Sequence, residues 1–283
     1  MVPLAVTATS AGNVLLLVFN GCFASFIVAA NLSVFLSMVL SESFRGENRF
    51  LYMMSTCVSD FLTGAAWFYL GLYDVKDYFP GKNSTRFVAP TFLGLSYLVI
   101  VAAQADRCHA VLSPIKYSQR MTPGKTVLVI VCLWLYASAI LAASNLESAG
   151  VAVQMISYGG LISNTITVAI MVGLNIRLYH IARYQLEREP PTAQREAKRS
   201  SLYLIIVVAA SFLILWAPVF LRIYLCQITA LRCQPASNEA TDPFTYLPRI
   251  NTALTPLWYI RGCRPLRERL YGWIRKLCVR CHL

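Results

Sequence analysis

Charge is scarce in this chain, and the places where it is missing are informative. Only 13% of the 283 residues are Asp, Glu, Lys or Arg, while 57% are apolar and the mean hydropathy is +0.56. Soluble domains carry about 25% charged and about 45–50% apolar residues. A soluble chain this short could not bury that much apolar surface, but a bilayer could accept it. No charged residue precedes Glu42. A cleaved signal peptide opens with a basic stretch before a short apolar core; none is present, so the first apolar run is expected to be a retained span. Histidine is also sparse: His109, His180 and His282 lie far apart, and no His/Cys/Asp/Glu group has metal-ligand spacing. A single carboxylate, Asp60, falls mid-span in an apolar run, so no acid pair is available for intramembrane catalysis, and the chain is expected not to be an enzyme. Internal repeats are lacking, which argues against a transporter built from repeated halves. One cluster of polar groups is too few to mark a transport path.

What is present is a series of apolar runs of spanning length. A bilayer-crossing helix needs roughly 20 mainly apolar residues. Runs over 14–41, 50–72, 87–108, 126–146, 152–176, 201–225 and 243–260 meet that length. The expected fold is all-α: one seven-helix transmembrane domain over 1–283, closed by a short amphipathic helix over 264–277. Placing the N-terminus outside puts 19 of the 25 Lys and Arg on the cytoplasmic side, as the positive-inside rule requires. That asymmetry assigns the net charge of +12 to membrane lipids of the inner leaflet and to cytoplasmic partners, not to nucleic acid. Asn83-Ser84-Thr85 is a glycosylation sequon in the loop assigned outside. Cys226 and Cys233 flank an outer loop in an oxidising compartment, and a disulfide between them is expected. Cys278 and Cys281 sit among Arg275, Lys276 and Arg280, a setting suited to S-acylation.

Landmarks recur inside these runs. They include Ala30-Asn31, Ser59-Asp60-Phe61-Leu62, Ala105-Asp106-Arg107-Cys108, Trp134, Phe212 with Trp216-Ala217-Pro218, and Asn251 with Thr255-Pro256-Leu257-Trp258-Tyr259. In this order, across six of the seven runs, they resemble the rhodopsin-like (class A) G-protein-coupled receptors. The resemblance implies a plasma-membrane receptor that passes an extracellular ligand signal to heterotrimeric G proteins by helix rearrangement. It implies coupling and switch roles for Asp106, Arg107, Trp216, Pro218, Thr255, Pro256 and Tyr259. It also implies a sodium ion held by Asp60, Ser96 and Asn251, with no other cofactor. The physics of the same residues agrees: a mid-span carboxylate is costly and functional by default, and prolines kink helices.

The departures from the pattern matter as much. Cys108 follows Asp-Arg where a Tyr is usual, and Thr255 replaces an Asn before Pro256. Lys198 stands where many members carry an acid that pairs with the Arg107 position at rest, and Asn175 stands where a Tyr joins the active-state network. The cysteine pair that usually ties the third span to the second outer loop is absent, an open arrangement that melanocortin and some lipid receptors share. The stretch 116–136 resembles odorant receptors, whereas Trp216-Ala217-Pro218 does not, so a non-olfactory member is favoured. A chemosensory receptor and a weakly coupling scaffold are the alternatives. Ala89 occupies the position of the amine receptors' Asp, and Arg249 that of the opsins' Lys. Arg249 and Arg222, beside Ala89, Phe92 and Leu93, are therefore expected to line a pocket for an amphipathic anionic ligand. Guanidinium groups match carboxylate and phosphate geometry. The alternative is that Arg249 pairs internally or caps backbone carbonyls freed by Pro248.

Overall fold

The computed structural model describes residues 4–73, 88–146, 151, 154, 158–188, 190–228 and 240–281. Among the described residues eight long helices carry the fold: α1 Ala11–Val39, α2 Asn48–Leu70, α3 Val88–Leu112, α4 Pro123–Leu146, α5 Gly160–His180, α6 Ala193–Ile228, α7 Pro243–Gly262 and α8 Arg264–Cys281. Two short helices, Glu42–Arg45 and Pro114–Arg120, lie in the links. Among the described residues the only extended pairing is an isolated bridge between Leu4 and Tyr73.

Local chemistry sets several of the boundaries. Ser10 caps α1 by accepting from the Asn13 amide at 3.2 Å. Asp242 caps α7 by accepting from the Phe244 amide at 3.0 Å, with Pro243 in the first turn. Some helices extend past the apolar runs. The apolar run of α6 opens at 201, but the helix opens at Ala193, because Arg195, Glu196, Lys198 and Arg199 are good helix formers that hydropathy ignores. Residues of the fifth run before 158 lie largely outside the described set.

The helices close into a ring. Each of α1 to α7 packs on its sequence neighbour, except α4 and α5, which are bridged by α3. Helix α7 packs back on α1. Helix α3 is central, touching α2, α4, α5 and α6, and α8 lies across α1 and α7. Among the described residues, five helices are long and apolar enough to cross a bilayer: α1, α3, α4, α5 with its one-turn π extension, and α6. Helices α2 and α7 fall short for a physical reason. Each turns a polar face into the bundle: Ser55, Thr56, Ser59, Asp60 and Thr63 are buried on α2, and Arg249, Asn251, Thr252 and Thr255 on α7. Their polar groups face protein rather than lipid, where such groups are tolerated. Close packing supports this arrangement. A Cβ on Gly64 of α2 would lie 2.6 Å from Ile27 Cγ2 of α1, so only glycine fits that crossing.

Candidate functional site

Three layers of side chains run down the axis of the bundle. The innermost sits at the end of α3. Arg107 meets Asp106 at 2.5 Å, and Asp106 is nearly fully buried. Tyr117, from the short helix Pro114–Arg120, donates its hydroxyl to Asp106 at 2.9 Å and accepts from Arg107 at 3.1 Å. It also accepts from Asn48 of α2 at 2.8 Å. Burial pushes the Tyr117 phenol above its ordinary value, so the group stays protonated as the donor. Arg107 is thus held by its own motif and the neighbouring link. Tyr117 was visible in the sequence only as part of a link, and no spacing rule gave it this role.

Above this clasp a cavity of about 390 Å³ opens between α2, α3, α6, α7 and the start of α8. Arg107 forms part of its wall, with Thr56, Ile100, Leu204 and Tyr259. Tyr259 is buried in the central cluster, where Phe212 and Trp216 also lie.

The middle layer is polar. Asp60 is fully buried, and both carboxylate oxygens lack a hydrogen-bond partner among the described residues. Ser96 of α3 interacts with it without reaching hydrogen-bond geometry. Asn251 Oδ1 on α7 is likewise buried and unpartnered, and Thr255 donates to the Asn251 carbonyl at 2.9 Å. Unpartnered buried oxygens are rare in native proteins and call for an explanation. Asn31 bridges the Ile27 and Thr252 carbonyls at 2.9 and 3.0 Å, tying α1 to α7. On α6, Phe212, Trp216 and Phe220 stack at 5.1 and 5.4 Å between centroids. Tyr97 of α3 meets Trp216 edge-on at 6.1 Å and donates to Asn164 of α5 at 2.6 Å. Tyr97 directly follows Ser96, and nothing in the apolar pattern singled it out. Pro218 and Pro256 lie inside α6 and α7 at this level.

The outer layer holds the residues expected to line a pocket. Arg249 is 3% exposed; it donates to the Thr245 carbonyl at 2.5 Å, and its guanidinium lies 3.9 Å over the Trp67 ring. Arg222 pairs with Asp242 at 2.7 Å and stacks over Phe244. Each arginine thus has a partner within the chain among the described residues. Phe92 packs toward α4, 6.1 Å from Trp134, whose indole donates to Ser55. Ala89 lies with Trp67, and Leu93 joins the central cluster. Arg249 thus caps a carbonyl of its own helix, that of Thr245. Tyr246 completes this layer: it donates to Asn20 at 2.7 Å and meets Trp67 edge-on at 5.5 Å, while Asn20 holds the Gly71 carbonyl.

Some expected sites fall partly or wholly outside the described residues. Asn83 and Cys233 do so entirely. Cys226 is disulfide-bonded, with its partner beyond the described set. Cys278 and Cys281 lie in α8, where their side chains are not described.

A family model described as the seven-transmembrane receptor (rhodopsin family) matches residues 30–150. A stretch of 142 residues, 47% of the chain, is 27% identical to a muscarinic acetylcholine receptor of Caenorhabditis elegans. That stretch covers 22% of the receptor's own length, so the chain matches about a fifth of that relative.

Proposed function

We propose that this chain, whose residues 30–150 match the family model of the rhodopsin-family seven-transmembrane receptors, is a member of that family: a multi-pass plasma-membrane receptor that promotes nucleotide exchange on heterotrimeric G proteins. The observation that carries this is the Arg107 clasp beside a cytoplasmic cavity. Arg107 is held by Asp106 and Tyr117 while forming one wall of the space between α3, α6 and α7. Swinging the lower half of α6 at its Pro218 kink widens that space, and releasing Arg107 from Asp106 frees a cation to meet the G protein. The Phe212–Trp216–Phe220 stack against Tyr97 supplies the link from the outer half, because a shift in Trp216 must move Tyr97 or Phe212. In cells carrying sensors for G-protein subunit dissociation, Arg107→Ala should abolish agonist-independent signal at unchanged surface expression. Equal signal from both proteins would defeat this reading.

The sodium reading belongs to the same account. Asp60, Ser96 and Asn251 offer a carboxylate, a hydroxyl and an amide oxygen, all buried and unpartnered. That donor set fits a hard cation with oxygen ligands, which would supply the missing countercharge and hold α2, α3 and α7 together at rest. The relative's name makes it an acetylcholine receptor; for this chain we read a different ligand class. A quaternary ammonium seeks an aromatic face, but the Trp67 face already carries Arg249. The chain places Ala89, buried beside Trp67, where the amine receptors carry an acid.

The orientation has the N-terminus outside, with Asn83 as the glycosylation site and Cys278 and Cys281 as cytoplasmic acylation sites. The bond at Cys226 closes on Cys233. Non-reducing peptide mapping should recover the two as one linked peptide; a link from Cys226 to any other cysteine would refute the pairing.

A further inference from the structure

Gln104 of α3 is fully buried, and its amide donates at 3.3 Å to the side chain of Asn175 of α5, which is half-buried. The Gln104 side-chain oxygen has no hydrogen-bond partner among the described residues. Losing the bond would leave a whole amide buried and unsatisfied, a costly state. Two turns outward on the same face of α3, Tyr97 donates to Asn164 of α5 at 2.6 Å. Helix α5 is otherwise thinly packed: over Gly160–His180 its buried residues are Thr167, Met171 and Leu178. Polar bonds at two depths therefore join it to α3. The lower bond heads two apolar stripes. On α3, Gln104, Cys108 and Val111 are spaced four and three residues apart; on α5 and its π extension, Asn175, Leu178 and Ala182 are spaced three and four apart. Such spacing keeps each set on one helix face. Cys108, Leu178, Ile181 and Ala182 form a buried cluster that receives Leu202 and Ile206 from the cytoplasmic part of α6. Leu204 and Ile205, between those two, line the cytoplasmic cavity, while none of the described residues of α5 does. The cluster is the seat on which α6 closes, and the Gln104–Asn175 bond sets where α5 carries its half of that seat.

We propose that Gln104 and Asn175 are positioning residues that hold α5 against α3 and thereby keep the cytoplasmic part of α6 seated beside the cavity. They act through Cys108, one turn below Gln104, and Leu178, one turn below Asn175. A hydrogen bond between side chains fixes register and direction, whereas apolar contact alone is non-directional. With the bond broken, Leu178, Ile181 and Ala182 shift together, and Leu202 and Ile206 lose a fixed place to pack. Packed seats of this kind switch between discrete arrangements and do not deform continuously, so α6 then spends more time unseated. The consequence for signalling rests on the reading that this cavity receives the G protein: a looser seat opens the cavity more often without agonist.

The full chain in lipid nanodiscs is compared with Gln104→Leu and with the swapped pair Gln104→Asn/Asn175→Gln. Backbone hydrogen exchange is followed over 176–186 and 199–207. Leucine is close to glutamine in size and removes the unsatisfied amide oxygen, so the fold is kept without the bond. Exchange over both segments should be about tenfold faster in Gln104→Leu. The swapped pair rebuilds a bond of the same combined reach and should return to within about twofold of the unsubstituted chain. Lost packing alone would not be restored by the swap. Unchanged exchange over 199–207 in Gln104→Leu overturns the proposal, and so does a swapped pair that exchanges as fast as the leucine variant. Neither outcome needs a G protein. Uptake of a GTP analogue by added heterotrimers is timed separately, and Gln104→Leu should raise the agonist-independent rate severalfold. Hydrogen exchange that responds as stated, with uptake at the receptor-free level for every variant, supports the positioning role and overturns the receptor reading instead.

Discussion

Truncating Trp67 to alanine is expected to destabilise the protein by about 3–5 kcal/mol, the range for removing a large buried aromatic. Trp67 is fully buried and shares a cluster with Ala24 of α1 and Ala89 of α3. Tyr246 of α7 meets its edge at 5.5 Å and Arg249 covers its face at 3.9 Å. One side chain on α2 thus touches the three helices that pack against its outer half. Alanine leaves a cavity and also strips a buried guanidinium of its aromatic partner, a contact worth up to about 2 kcal/mol when desolvated. At roughly 2–4 °C per kcal/mol for a domain of this size, the unfolding midpoint in detergent should fall by about 10 °C. Trp67→Phe, which keeps an aromatic face, should lose less than half as much. A midpoint within 2 °C of the unsubstituted protein would mean that the outer layer is not built around Trp67.

Replacing Asp60 with Asn should produce two opposite changes. The carboxylate is buried and its oxygens have no hydrogen-bond partner among the described residues. An uncompensated buried charge is costly, so in sodium-free choline chloride the neutral amide should raise the unfolding midpoint. In sodium chloride the unsubstituted protein should gain by mass action, about 1.4 kcal/mol when sodium is tenfold above its dissociation constant. The Asn variant lacks the charge that draws the ion and should not respond. An unsubstituted protein that melts identically in the two salts would remove sodium from the account.

The apolar runs mark where the long helices lie because run length is a local pattern, whereas several ends, such as Ala193 of α6, fall outside the runs. Asp60, Trp216 and Arg107 were conspicuous in the sequence because a charge, a proline-linked aromatic and an Asp-Arg pair stand out against an apolar background. The missed residues are those whose partners are distant in sequence. Tyr117 reaches Asn48 across 69 residues, and Tyr246 reaches Asn20 across 226. Neither breaks the local pattern, since a tyrosine in a link or at a span end is common. The outer arginines show the converse. Their charge was conspicuous, but its destination depended on Asp242, Thr245 and Trp67, which only the packed fold identifies.

The most direct test is nucleotide exchange by purified components. The protein in nanodiscs is mixed with heterotrimers representing each class of Gα, and GTP analogue uptake is timed for the unsubstituted chain, Asp106→Asn and Arg107→Ala. The clasp predicts that Asp106→Asn, which removes the charge holding Arg107, accelerates exchange on at least one heterotrimer above the unsubstituted chain, and that Arg107→Ala does not accelerate any. Rates that match the receptor-free control for every heterotrimer and every variant would contradict the account.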